Sequence, residues 1–380
     1  MEILTISHFE CQCQNGGDDL ANRIAVLGAG AVGSCIGAYL ALKGHDVTLM
    51  DQWPEHVDRM KRDGLTVRDP EKEFTVPVKA LHLCEVSGLQ DQFDMVFLAV
   101  KSYDTLWSTH FIAPYLKPMG LMLSAQNGMN DEVVAGVVGF DRTAGCVVQL
   151  GAATYEPGCV VRTEPITVHT FAVGELSGAA TPRVRNVADV LTAVGPSEVT
   201  SNIGGARWSK MIVNCMGNAL AGLLGPAASS LSREQQERAV LIRMVLGREV
   251  VLVAQQLGVD VEPVYGVSVQ EFADATTPDA LTALAAKVES GSRDRSVTPD
   301  RARFLGVPPR ASLLQDVIKG RRTEVDYLNG YVVHKGREVE VSIPLNQTVV
   351  ELVKKVERGE AKPGPSNLKQ LERHLAIQVQ

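Results

Sequence analysis

One stretch constrains this chain more than any other. Arg23-Ile24-Ala25-Val26-Leu27 is a short apolar run of buried-strand type, and it leads straight into Gly28-Ala29-Gly30-Ala31-Val32-Gly33. Ala31 to Lys43 then reads as a helix that stops at Gly44, where glycine easily takes the left-handed turn beyond a last helical residue. Asp46-Val47-Thr48-Leu49-Met50 follows as a second strand, closing at Asp51. A lone GxGxxG says little, because glycine-rich hexamers arise by chance. Set between strand and helix, with an acid at the end of the next strand, it is the pattern of a dinucleotide-binding unit. Gly28 permits the tight turn, Gly30 lets the backbone approach a pyrophosphate, and Gly33 lets helix and sheet close on each other. The N–H groups of Ala31 and Val32, at the positive end of the helix, suit the phosphates.

Asp51 bears on which dinucleotide binds. A carboxylate there accepts hydrogen bonds from both hydroxyls of the adenosine ribose and repels a 2′-phosphate, which favours NAD(H) over NADP(H). Gln52-Trp53-Pro54-Glu55-His56 supplies no arginine, and the first one, Arg59, lies inside the next helix. Pro54 at a first helical turn keeps another role open, with Asp51 as a cap or turn residue.

At 380 residues the chain exceeds what one core usually organises, so two domains are expected. Asp94 to Val100 is a further buried strand leading to Lys101, and Gly120 to Ser124 reads as the next. Strands alternating with helices imply a parallel sheet covered on both faces. Ala144 to about Val173, rich in Val, Thr and Gly, is expected to finish that sheet with hairpin-like strands. After Gly204-Gly205 the character turns helical, over 206–224, 232–257, 311–335 and 346–358. The reading is a flexible leader over 1–22, an α/β Rossmann-like domain over 23–203, and a mainly α-helical C-terminal domain over 204–380. Residues 275–310 look loop-rich and carry Arg293, Arg295, Arg301, Arg303 and Arg310.

The most informative segment of the second half is Trp208 to Leu220. Lys210, Asn214 and Asn218 stand at i, i+4 and i+8, so a helix lines them along one face, each about 6 Å from the next. Apolar neighbours surround the stripe, and a lysine and two amides left without partners there cost several kcal/mol. A bound polar substrate supplies such partners, and so does a hydrogen-bond ladder between domains.

Composition excludes other classes. With 37 basic and 44 acidic side chains the formal net charge is −7, which gives no general reason to bind nucleic acid or an anionic membrane. No uncharged apolar run reaches the roughly 18 residues of a membrane span; the richest, Ala239 to Leu257, is broken by Arg243, Arg248 and Glu249. The seven cysteines are scattered and odd in number, as for thiols in a reducing cytoplasm. The leader lacks the basic start and long apolar core of a signal peptide. Its His8, Cys11 and Cys13 find no second ligand pair, so no metal site is expected.

With these segments in hand, the sequence resembles the ketopantoate reductase (2-dehydropantoate 2-reductase) family. The matching pieces are the GAGAVG turn, Ala99-Val100-Lys101, Gln126-Asn127-Gly128, Trp208 through Asn218, Ser312-Leu313-Leu314-Gln315-Asp316, and Arg322-Thr323-Glu324 through Gly330. They keep the family's order from about residue 23 to 355. The resemblance implies a Rossmann domain joined to a helical domain of 6-phosphogluconate-dehydrogenase-like type. It also implies a substrate cleft between them and reduction of ketopantoate to pantoate by a nicotinamide cofactor. Carried over by position, Lys210 matches the catalytic lysine, and Asn214, Asn218 and Ser312 match substrate contacts. Lys101 and Asn127 match cofactor contacts, Asn127 also lying near the substrate. Glu324 matches a glutamate close to both nicotinamide and lysine, and is expected to help fix Lys210. The family role suits the residue: hydride addition builds negative charge on a carbonyl oxygen, and a protonated lysine can donate to it.

Three features depart from the family. Asp51 stands where NADP-dependent members carry a basic residue, and Ala228 where a further substrate-contacting asparagine falls. The 275–310 segment is longer, either a solvated loop or a cover that offers a guanidinium to a carboxylate. The leading expectation is a ketopantoate reductase. An NAD-dependent dehydrogenase of another branched 2-hydroxy or 2-oxo acid is the alternative. A nucleotide sensor without turnover is a third reading, against which the joint presence of Lys210 and Glu324 argues. The expected partner is a small 2-oxo or 2-hydroxy acid, with a homodimer left open.

Overall fold

β1 (Arg23–Leu27) is an interior strand of the main sheet, with Ile24 to Leu27 all buried. The computed structural model describes residues 22–296 and 298–378, so the expected leader, with His8, Cys11 and Cys13, lies outside the described residues apart from Asn22. From β1 the chain runs through α1 (Ala31–Leu42), β2 (Asp46–Asp51), α2 (Pro54–Asp63), β3 (Leu65–Arg68), β4 (Glu73–Val76) and β5 (Lys79–His82). It continues through β6 (Phe93–Leu98), α3 (Thr105–Ile112), β7 (Leu116–Ser124), α4 (Asp131–Val138) and β8 (Thr143–Val148). β9 (Ala152–Ala153), β10 (Cys159–Arg162), β11 (Phe171–Glu175), α5 (Pro182–Leu191) and β12 (Ser197–Val199) complete this half.

The main sheet has eight strands in the order β12-β11-β8-β7-β6-β1-β2-β5. Every pairing in it is parallel except β8 with β11. The Rossmann-like reading therefore holds, and the strands after Ala144 divide their duties. β8 and β11 extend the main sheet, whereas β9 and β10 join β3 and β4 in a separate four-stranded sheet. Apolar clusters cover both faces of the main sheet, one around Val26, Phe97 and Leu123, the other around Leu27, Val96 and Met122. That double coverage is what a near-continuously apolar parallel strand requires.

The second half starts with α6 (Ile203–Leu224) and α7 (Arg233–Gln256), then α8 (Val269–Asp274), α9 (Pro278–Gly291), α10 (Pro299–Leu305) and α11 (Ser312–Ile318). α12 (Asn329–Glu338), α13 (Pro344–Glu357) and α14 (Leu368–Gln378) follow. α6 packs against α7, α11 and α13. By length and composition, Ile203 to Ser230 would also pass as a membrane span, but most of it is buried inside the protein's own core.

Two expectations change here. The helix expected over 311–335 is two helices, α11 and α12, separated by a turn in which Gly320 takes φ 62°. The 275–310 segment is largely helical, because Thr277 and Thr298 each cap a helix whose first residue is proline. Cys35, Cys84, Cys146, Cys159 and Cys215 are all free thiols.

Candidate functional site

A cleft of about 1160 Å³ runs from the glycine turn to the helical half. Its floor at one end is the turn between β1 and α1. Gly28 has φ 97°, and a Cβ there would lie 2.6 Å from the Val100 amide nitrogen, so only glycine lets the turn cross the end of β6. At Gly33 a Cβ would run into the Gly28 carbonyl; this glycine serves packing and, unlike Gly28, Gly30, Ala31 and Val32, does not line the cleft. A Cβ on Gly30 would meet nothing within 4 Å, so the backbone there faces open space. No side chain caps α1, and its first turn holds no acid, which leaves its positive end to a ligand. Asp51 also lines the cleft; its Oδ1 accepts the Trp53 N–H at 2.8 Å. The turn role and the ribose role are thus compatible, since a carboxylate has a second oxygen. The turn and Asp51 together fit a dinucleotide.

Where the halves meet, Lys101 from the end of β6 reaches across the cleft. Its Nζ donates to Asp316 of α11 at 2.5 Å and to Glu324 at 3.2 Å. Glu324 also accepts the Ser102 N–H at 2.9 Å and the Ser102 hydroxyl at 2.8 Å. Burial alone would push the Lys101 ammonium down, but Glu324 and Asp316 outweigh it and hold the group above the ordinary lysine range. Burial pushes the Asp316 carboxyl up, with Lys101 pulling the other way. Both Glu324 oxygens are therefore engaged by Lys101 and Ser102. Glu324, expected to help fix Lys210, is bonded in this structure to Lys101 and Ser102.

The polar stripe continues from there. Asn214 donates to the side-chain oxygen of Asn127 at 3.2 Å, and Asn218 donates to Asn214 at 3.1 Å and to the Ser312 hydroxyl at 3.2 Å. The ladder and the cleft lining are one structure: Asn127, Asn214, Asn218 and Ser312 all border the cleft. The second departure, Ala228, lies in the turn after α6 and packs against the helical core.

Lys210 sits on the same helix face and also lines the cleft. Among the described residues its ammonium makes no hydrogen bond or ion pair. Its pKa is pushed down to about 8, chiefly by burial; Glu164 pulls upward and Arg295 pushes further down. One turn earlier, Arg207 grips Asp131 through two bonds of 2.7 and 2.6 Å and donates to the Ser124 and Gln126 carbonyls at 2.8 and 3.0 Å. That buried clamp ties α6 to the end of β7 and so sets where Lys210 points.

Several residues escaped sequence reasoning. Asp316 lay inside a quoted motif without a role, and Ser102 directly follows Lys101, so both were within reach. Glu164, Arg295 and Arg207 carry no spacing signal that links them to the cleft. Among the described residues no cluster of metal-ligating side chains occurs.

A nucleotide turn and a lysine–amide stripe facing each other across an interdomain cleft define a two-domain oxidoreductase. The family profile described as "Ketopantoate reductase PanE/ApbA" matches residues 24–177, and its C-terminal counterpart matches residues 202–357. The chain belongs to the ketopantoate reductase family. It is 30% identical over 338 residues to a 2-dehydropantoate 2-reductase of Halobacterium salinarum, covering 88% of this chain and 99% of that one. A 2-dehydropantoate 2-reductase of Pyrococcus horikoshii is 27% identical, covering 87% of this chain and 96% of that one. Among solved structures, a PanE/ApbA family ketopantoate reductase from Ralstonia eutropha superposes with a TM-score of 0.68 at 25% identity, covering 88% of this chain and 98% of that one. A D-mandelate dehydrogenase with NADH and anilino(oxo)acetate shares the fold, with a TM-score of 0.70 at 23% identity over 88% of this chain and 98% of that one. This protein is a ketopantoate reductase-like oxidoreductase acting on CH–OH groups.

Proposed function

We propose that the chain reduces ketopantoate to pantoate with a nicotinamide cofactor, and that Lys210 is the general acid. The observation that carries this reading is the unpaired Lys210 ammonium, with a pKa near 8, facing the cleft that begins at the glycine turn. The dinucleotide, when bound, supplies the hydride. The chain's own residues do the rest. Gly28, Gly30, Ala31 and Val32 take the pyrophosphate, Asp51 the adenosine ribose, and Lys101 and Asn127 the nicotinamide half. Asn214, Asn218 and Ser312 orient the 2-oxo acid so that its carbonyl oxygen meets Lys210 Nζ. As charge builds on that oxygen, Lys210 gives up its proton; in the reverse reaction the neutral amine takes it back. Glu324, a catalytic residue by family position, acts in this reading through Lys101 and Ser102 at the nicotinamide end.

Asp51 favours a second reading: with NAD(H) as its dinucleotide, the chain oxidises another branched 2-hydroxy acid. A panel of 2-oxo and 2-hydroxy acids, assayed with NADH, NADPH and their oxidised forms, tests both. Ketopantoate with the highest kcat/KM supports the first reading, and turnover confined to other acids replaces it with the second. Equal or better kcat/KM with NADPH refutes the role given to Asp51.

A further inference from the structure

Lys210 shares the cleft with a charged stretch of wall, Glu164 and Arg295. Glu164, just beyond β10, accepts the Gly151 N–H at 2.9 Å and two bonds from Arg295 at 3.2 and 2.8 Å. Arg295 comes from the single turn between α9 and α10. Its remaining N–H groups go to the Gln149 side chain at 3.3 Å, the His169 carbonyl at 3.1 Å and the Gln149 carbonyl. All five donors of the guanidinium are thereby spent. Such a group has nothing left for a substrate carboxylate: Arg295 is a cleft-wall residue built to grip Glu164. The two side chains are only 16% and 20% exposed. Tyr265 borders the same corner in a left-handed conformation, φ 51°. Gly291 makes room for it, since a Cβ there would run into the Tyr265 carbonyl, and so lets the end of α9 close up and deliver Arg295.

We propose that Glu164, locked by Arg295, is the positioning carboxylate of Lys210, the counter-charge that keeps its ammonium form available beside the reacting carbonyl. The inference rests on the reading of Lys210 as the acid. The charged groups facing Lys210 are Glu164, which favours the ammonium, and Arg295, which opposes it, with the Tyr265 phenol against the same corner. A carboxylate held by an arginine cannot swing away or join the lysine in a closed pair, so its influence stays fixed while the proton is transferred.

The two partners predict shifts of opposite sign. Acetylation of the full-length protein by acetic anhydride across a pH series, with the Lys210 peptide quantified by mass spectrometry, reads the titration of this amine without any substrate. In Glu164→Gln the midpoint falls by about one pH unit, and in Arg295→Met it rises. Glu164→Asp, which keeps the charge, stays near the wild type and serves if the glutamine variant fails to fold. In ketopantoate reduction with NADH, Glu164→Gln loses about fivefold in kcat at pH 8 and recovers towards acid pH. Midpoints that do not move, or that move together in both variants, overturn the proposal. Full activity of Lys210→Ala instead overturns the reading of Lys210 itself.

Discussion

Two lysines stand in one cleft, and their surroundings have made them opposites. Lys101, at the end of a strand of the Rossmann half, is met by Asp316 and Glu324 and stays charged throughout the physiological range. Lys210, on a helix of the other half, has no paired carboxylate, and burial brings its pKa down to about 8. The same side chain thus serves as a fixed cation in one place and as a proton carrier in the other. What separates them is the number of carboxylates within bonding distance, set against a similar cost of burial.

The contrast is broken most directly by substitution. Lys210→Ala is expected to lose roughly 10²- to 10⁴-fold in kcat for ketopantoate reduction, as removal of a general acid should. Lys101→Ala is expected to act mainly on KM for the dinucleotide; a larger kcat loss there than at position 210 would reverse the two roles. Lys101→Met should also destabilise the fold by about 2 kcal/mol in urea unfolding, because it strands Asp316 beside Glu324. Without the ammonium the buried Asp316 carboxyl is raised further in the folded state, so the deficit should shrink as pH falls towards about 5.

The pH profile sharpens the comparison. Reduction needs Lys210 protonated, so its kcat/KM should be flat below pH 8 and fall about tenfold per unit above it, while oxidation should rise about tenfold per unit up to pH 8 and level off beyond. A reduction profile still flat at pH 10 would mean that the titrating amine is not the donor. The smallest expected effect is at the adenosine end, where Asp51→Ser should shift the NADH-to-NADPH ratio of kcat/KM about tenfold towards NADPH.

Much of the nucleotide half is legible in its amino acids alone. Its β-α-β unit is local: strand, glycine turn, helix and acid follow one another within about thirty residues. The stripe of Lys210, Asn214 and Asn218 is legible for the same reason, since helical periodicity alone aligns it. The linkage between halves is not. Glu324 pairs with Lys101 across 223 positions of sequence, and Arg295 with Glu164 across 131. Nothing in the local pattern near Glu164 marks it as a neighbour of α6, and the two capping threonines of the 275–310 segment are hidden among arginines that read as loop.

The sequence by itself determined the dinucleotide turn and the Lys210 stripe, because turn chemistry and short-range periodicity decide them. Only the tertiary structure decided which carboxylate belongs to which lysine. Charges pair by distance in space, and that distance is set by how the α6 clamp of Arg207 on Asp131 docks one half against the other.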